Sequence, residues 1–188
     1  MSNMIKKIKY KVMDFMSHIR IYKGGFILFG DSHYKIKAQH IRQIIPVLKS
    51  GDILLRRDDH YLGSLIIPGY WSHVALYVGN KNVIQMATTG IDIEDILSFL
   101  MYADNIQVLR LKEDDQELVN YAIDRAFKYL SLDVEYDYDF SFNSDDEMSC
   151  TELVDNCYKY PTMYGQKNKN YIVPDDFLNS IFKTVWSK

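Results

Sequence analysis

Apolar residues recur at helical spacing near the start of the chain: Ile5, Ile8, Val12, Phe15 or Met16, and Ile19, with lysines on the other side. This predicts an amphipathic helix over 4–20, ended by Gly24-Gly25. A second helix is expected over Ala38–Ile45, stopped by Pro46. From Leu48 the character changes. Asp52–Arg56, His73–Val78, Val83–Met86 and Ile106–Leu111 read as strands, and Gly79-Asn80-Lys81-Asn82 as a hairpin turn. A helix is expected at Ile93–Tyr102. Another runs from Gln116 to Leu130, capped by Asp114 or Asp115, with Leu118, Ala122, Ala126, Tyr129 and Leu130 inward. Ser149 precedes a helical pattern of Leu153, Val154, Cys157 and Tyr158. Pro174 suits the start of a last helix that buries Phe177, Leu178, Ile181, Phe182 and Val185. Strand clusters beside helices predict an α+β domain with an antiparallel sheet packed against helices.

The 188 residues are 47% apolar and 25% charged, enough for a real core in one domain with a short extension. A disordered chain, a collagen-like repeat and a disulfide scaffold are excluded. No apolar run approaches the length of a membrane span. Residues 1–50 carry a net +8 and residues 51–188 a net −11. An acidic domain argues against a nucleic-acid partner. For the basic N-terminal helix two readings stay open: docking on the domain, or peripheral contact with an anionic membrane. The lysines near the start are followed by Asp14, His18 and Arg20 with no clean apolar stretch, so a signal peptide is not read and a cytoplasmic location is expected.

Candidate chemistry centres on a few residues. Cys150 stands where a helix begins, and the positive end of a helix dipole favours thiolate. The acidic turn Asp145-Asp146-Glu147 opposes this if it points inward. Cys157 lies seven residues on, roughly 10 Å along a helix axis, too far for a disulfide. His73 opens an apolar strand and needs a polar partner or a neutral ring. Gln85, on the hairpin partner of that strand, can cross to His73 and orient its imidazole. The other histidines, His18, His33, His40 and His60, form no metal-binding pair, so neither a metal nor a cofactor is expected. Nine carboxylates lie between Asp133 and Asp155 with no Lys or Arg among them. Asp133, Glu135, Asp137 and Asp139 alternate and read as a solvated face. For Cys150, His73 and Gln85 alike, a purely structural role remains open on residue type alone.

In combination these residues resemble a known family. Gly51-Asp52-Ile53-Leu54-Leu55 is followed by Ile67-Pro68-Gly69-Tyr70-Trp71-Ser72-His73-Val74-Ala75-Leu76-Tyr77-Val78-Gly79, then Val83-Ile84-Gln85, Tyr136-Asp137, and Ser149-Cys150-Thr151-Glu152-Leu153-Val154. This is similar to the circularly permuted branch of the NlpC/P60 papain-like superfamily, the YiiX/YebB-like group, in which His precedes Cys. The resemblance covers about residues 48–160. It implies an N-terminal helical extension over 1–47 and a permuted papain-like domain over 48–188. It also implies Cys150 as nucleophile, His73 as base and Gln85 as the third polar residue, a position where close relatives often carry Glu. Gln cannot supply a negative charge, but its carbonyl can hold the ring.

The implied activity is a cysteine hydrolase that cleaves an amide bond, in cell-wall peptide or a peptide-like substrate, through an acyl-enzyme. Leu55, Tyr70, Trp71 and Tyr136 are candidates to wall a substrate groove. Two competitors remain: a lipid-directed thioesterase or acyltransferase of the same fold, favoured by Leu65-Ile66-Ile67, and a catalytically idle binding module, favoured by Gln85. The helix N-terminus and His73 are together expected to lower the Cys150 pKa, with Cys157 inert on a buried face.

Overall fold

The computed structural model describes residues 34–59, 61, 64, 67–137, 147–158, 171–179 and 181–188, the strands Ile19–Ile21 and Ile27–Phe29, and residues 8, 11, 12 and 15. His18, His33, His60, Leu65, Ile66 and Asp139 lie outside the described residues. Ile8, Lys11, Val12 and Phe15 are helical and exposed. The expected helix does not continue to residue 20. Ile19–Ile21 (β1) pairs antiparallel with Ile27–Phe29 (β2), Ile19 opposite Phe29. These triplets are rich in β-branched and aromatic residues, and ladder pairing outweighs the helical spacing of Ile19. The first 47 residues are therefore not purely helical.

Helix α1 (Ala38–Ile44) passes into a 3₁₀ turn, Ile45–Val47, that accommodates Pro46 in its first turn. Six of the remaining strands build one antiparallel sheet. In chain order they are β3 (Ile53–Arg57), β4 (His73–Gly79), β5 (Asn82–Ala87), β6 (Gly90–Asp95), β7 (Asn105–Leu111) and β10 (Phe182–Ser187); in space they run β10-β7-β3-β4-β5-β6. The β4–β5 turn has positive φ at both Asn80 and Lys81, the primed geometry that matches the strand twist.

Two segments differ from the sequence expectation. The helix expected from Ile93 begins only at Ile96. Residues Gly90–Asp95 extend the sheet beside β5, and Asp95 then caps α2 (Ile96–Met101) by accepting the Leu97 N–H at 2.8 Å. The last helix is instead a short 3₁₀ turn, Pro174–Asn179, followed by β10, which adds to the edge of β7. The apolar spacing from Phe177 to Val185 fits a helix, but Phe182 to Ser187 gains a backbone ladder against β7 that the sequence by itself cannot show.

Helices cover both faces of the sheet. α3 (Gln116–Leu132) starts at Asp115, whose Oδ1 accepts the Leu118 N–H at 2.9 Å, and ends at Asp133 with φ +53°. α3 and α4 (Cys150–Tyr158) pack on one face, over Ile53, Leu55, Val74, Leu76, Ile84 and Met86. Ile36, Ile44 and the buried residues of α2 pack on the other, over Leu54, Ala75, Val83 and Val108. With both faces buried, the central strands read as continuous apolar runs rather than alternating ones. A short parallel pair, β8 (Glu135–Tyr136) and β9 (Glu147–Met148), leads into α4. The acidic segment is not uniformly solvated. Glu135 is exposed, but Asp137 is buried and its N–H donates to the Met148 carbonyl at 3.0 Å. Among the described residues no helix is long and apolar enough to cross a membrane.

The Gly51-Asp52 pair locks the sheet to its helices. Asp52 is fully buried and accepts Arg110 Nε and Nη2 in a two-pronged pair, each at 2.7 Å, while its Oδ2 also accepts the Lys49 N–H at 2.8 Å. Gly51 has φ +89°, and a Cβ there would lie 2.7 Å from Val119 of α3. Its carbonyl accepts the Tyr158 hydroxyl at the far end of α4. Asp52→Ala removes the carboxylate partner of Arg110, leaving it the Val47 carbonyl, and should lower unfolding free energy by about 2–4 kcal/mol, less than for a fully buried pair because Arg110 keeps some solvent. Urea denaturation of the two proteins measures this.

Candidate active site

Cys150 owes its position to the start of α4. Ser149 is the N-cap. Its Oγ accepts the Glu152 N–H at 3.3 Å, and Glu152 Oε2 accepts the Ser149 N–H at 2.6 Å. This reciprocal capping box satisfies donors that the helix cannot satisfy itself. Thr151 Oγ1 donates to the Ile172 carbonyl at 2.9 Å, tying the first turn to the segment before the 3₁₀ turn. Behind it Leu153, Val154, Cys157 and Tyr158 are fully buried against the sheet. Cys150 and Cys157 are both free thiols.

The Cys150 thiol therefore meets the first peptide of β4. Burial pushes it up to about 11, against the pull of the Val74, Thr151 and Cys150 backbone amides and the charge of Arg56. This corrects the expectation of a lowered pKa: loss of water outweighs the helix end. Burial likewise pushes Cys157 up, to about 12.

His73 is the first residue of β4 and flanks the same peptide. Its Nε2 donates to Gln85 Oε1 at 2.7 Å. Gln85 stands opposite Ala75, so it reaches His73 along a diagonal between neighbouring strands on one face. Arg56 is directly across from His73 in the β3–β4 register, and its guanidinium lies 4.8 Å from the Phe99 ring centre. The His73 ring is enclosed by protein, although the residue as a whole is only partly buried. Burial, reinforced by Arg56 and opposed by the Gln85 bond, lowers its pKa to about 3. Thiol and imidazole are thus both neutral at rest. Among the described residues no hydrogen bond joins Cys150 Sγ to the ring, whose partner is Gln85.

The aromatic candidates divide. Trp71 and Tyr136 are buried in the main core, as is Leu55, whereas Tyr70 is half exposed and packs edge-on against Trp71 at 4.9 Å. The segment carrying both rings is held from the C-terminal part of the chain. Asp175 accepts the Tyr70 N–H at 2.9 Å and the Trp71 N–H at 2.7 Å. His40 lies away from this region; it caps α1, its Nδ1 accepting the Lys37 N–H at 2.9 Å. Among the described residues no three His, Cys, Asp or Glu side chains are grouped to hold a metal ion.

Sequence reasoning passed over three contributors: Arg56, Asp175 and Glu94. The Gln85 Nε2 donates to Glu94 Oε2 at 2.6 Å. Arg56 and Asp175 carry no motif. Glu94 was hidden because its segment reads as helix, and only as strand β6 does it come beside Gln85.

A helix-borne cysteine set against a histidine-led strand is the arrangement of the papain-like cysteine enzymes, here with histidine ahead of cysteine in the chain. The chain belongs to the permuted papain-like amidase family YaeF/YiiX, C92, whose model matches residues 47–181. It is thus a papain-like cysteine peptidase or amidase by family, with the α+β permuted architecture expected from the sequence. No curated protein and no solved structure matched the chain.

Two titrations follow from these pKa values. With a thiol near 11, alkylation of Cys150 by iodoacetamide should rise about tenfold per pH unit from 7 to 10, with no plateau near neutrality. It should outpace Cys157, which lies deeper. A plateau below pH 8 would mean a thiolate at rest. His73 is neutral in the folded chain to about pH 3 but protonates near 6.5 when unfolded. Its contribution is therefore complete above pH 6.5 and lost as pH falls toward 3. Between pH 7 and 5 the wild type should lose about 1–2 kcal/mol more stability than His73→Gln, measured by denaturation at each pH.

Proposed function

We propose that the chain is a cysteine amidase acting on a peptide-like amide, of the kind found in cell-wall peptide, with Cys150 as nucleophile, His73 as base and Gln85 as the residue that holds the base. The observation that carries this reading is the convergence of two otherwise costly features on one peptide. A thiol is buried at the head of a capped helix, and an imidazole led to the same strand end has its Nε2 hydrogen committed to Gln85. That commitment leaves Nδ1 as the proton acceptor of the ring.

In this reading the resting pair is neutral, so activation is coupled to attack. The Cys150 sulfur adds to the amide carbonyl as its proton passes to His73 Nδ1. The backbone amides at the start of α4 face the oxygen on which negative charge develops. Collapse breaks the C–N bond, and the amine leaves with the proton from His73, giving a thioester on Cys150. Water, deprotonated by His73, then releases the acid and restores the thiol. Arg56 favours thiolate over imidazolium, so it assists the attacking sulfur more than the protonated base. Tyr70, the exposed aromatic beside this strand end, is the ring best placed to contact substrate, with Trp71 and Tyr136 shaping the wall from behind.

The lipid-directed acyl-transfer alternative drew on Leu65-Ile66-Ile67, and only Ile67 of these falls within the described residues. Contact of the N-terminal helix with an anionic membrane rests on the exposed Ile8 and Val12 beside a lysine-rich sequence. A single-turnover comparison with matched amide and thioester substrates decides among the readings. Amide turnover with Cys150 acylated, abolished in Cys150→Ala and reduced at least a hundredfold in His73→Ala, is the expected result. Thioester turnover without amide turnover would replace the amidase reading with acyl transfer. Silence on both, with Cys150 still alkylated, would leave a binding module.

A further inference from the structure

An amide side chain is an ambiguous partner for a histidine. Gln85 can present its carbonyl to the ring and accept, or turn by half a rotation and present its NH₂ group to donate. The two orientations select opposite tautomers of His73. With the carbonyl toward the ring, Nε2 carries hydrogen and Nδ1 is free to take a proton. With the NH₂ toward the ring, Nε2 becomes the acceptor, Nδ1 carries the hydrogen, and the ring is no longer a base on the side away from Gln85. Something must choose between them.

We infer that Glu94 makes that choice: it is a positioning residue whose carboxylate, by accepting the Gln85 amide hydrogen, locks the Gln85 carbonyl onto His73. The Gln85 Nε2 lies 2.6 Å from Glu94 Oε2, and Gln85 Oε1 lies 2.7 Å from His73 Nε2. A carboxylate can only accept, so it admits one orientation of the amide and excludes the other. The register explains why this residue serves. Glu94 stands opposite Val83 and Asp92 opposite Gln85, so both acids share the Gln85 face of β6. Asp92 is exposed and its Oδ1 accepts the Ile93 N–H at 2.8 Å. Glu94, on the diagonal and partly buried, is the acid that reaches the amide.

The relay His73–Gln85–Glu94 also returns, at one remove, the charge that Gln85 lacks. When His73 takes a proton, the Glu94 carboxylate polarises the amide so that its carbonyl oxygen faces the imidazolium with added negative character. The acid is kept away from the ring, which preserves the neutral resting state, but it sets the direction of every donor in the chain. This inference rests on the amidase reading for its kinetic consequence, whereas the tautomer it assigns is independent of catalysis.

The experiment has two arms on the full chain. In the first, ¹⁵N shifts of the His73 ring are recorded in wild type, Glu94→Gln and Glu94→Leu. The wild type should hold hydrogen on Nε2. Both variants should show a mixture of tautomers, because a glutamine amide in place of the carboxylate can either accept or donate and a leucine side chain can do neither. Hydrogen on Nδ1 in the wild type, or an unchanged ring in both variants, overturns the assignment. In the second, single-turnover acylation is measured for Glu94→Gln with Gln85 and with Gln85→Glu. The Glu94→Gln change should slow acylation roughly tenfold, with KM unchanged, when residue 85 is Gln. It should cause no loss when residue 85 is Glu, since a carboxylate there accepts from His73 unaided and is repelled by Glu94. Equal losses in both backgrounds would make Glu94 merely structural. If the wild type acylates nothing, the amidase reading fails while the tautomer arm still decides the relay.

Discussion

The docking of α4 on the sheet is the constraint on which the site depends. One end of that helix is closed by the Ser149–Glu152 capping box and the other by the Tyr158 hydroxyl on the Gly51 carbonyl, with Leu153, Val154 and Cys157 buried between them. The Gly51 carbonyl is held in turn by the turn that Asp52 organises with Arg110. A helix tied at both ends cannot slide, so Cys150 is delivered to the first peptide of β4 and nowhere else. The Gly51-Asp52 pair thus lies at the far end of α4 from Cys150 but sets where that thiol sits.

The same burial has an electrostatic cost at both Cys150 and His73. Water is removed from both the thiol and the imidazole, and neither ionises readily at rest. The helix end, the strand amides and Arg56 all favour thiolate but do not overcome that loss. In the proposed amidase, such a neutral pair is protected from casual alkylation and oxidation, which attack thiolate, and becomes reactive only when a substrate carbonyl is present to receive the sulfur. Under the proposed mechanism His73 must be in the right tautomer beforehand, because no ion pair is there to align it. In the inferred relay, Gln85 and Glu94 answer that need through hydrogen-bond direction rather than through charge beside the ring.

The sequence alone carried the local signals. Ser149 ahead of an apolar helical spacing, the Gly79–Asn82 turn, a cap at Asp114 or Asp115 and the apolar runs of β3, β4, β5 and β7 are all short-range patterns, and the elements they imply are present, with Asp115 the residue that caps. The ordered motif from Gly51 through His73 to Cys150 was enough to reach the family. His73 and Gln85, read as hairpin neighbours, do share a hydrogen bond. What the tertiary structure decided is what depends on partners distant in sequence. Residues 93–95 read as the start of the following helix and 182–185 continue a helical spacing, and only the ladders on β5 and on β7 make these segments strands. Making β6 a strand is also what turns Glu94 toward Gln85. Trp71 and Tyr136 are candidates for a groove wall from their type, and it is the core formed on the α3 and α4 face of the sheet that buries them. The sign of the Cys150 shift was beyond the sequence for the same reason. A helix terminus is a local feature that can be read along the chain, whereas desolvation is summed over every element that closes around the thiol, and here the sum prevails.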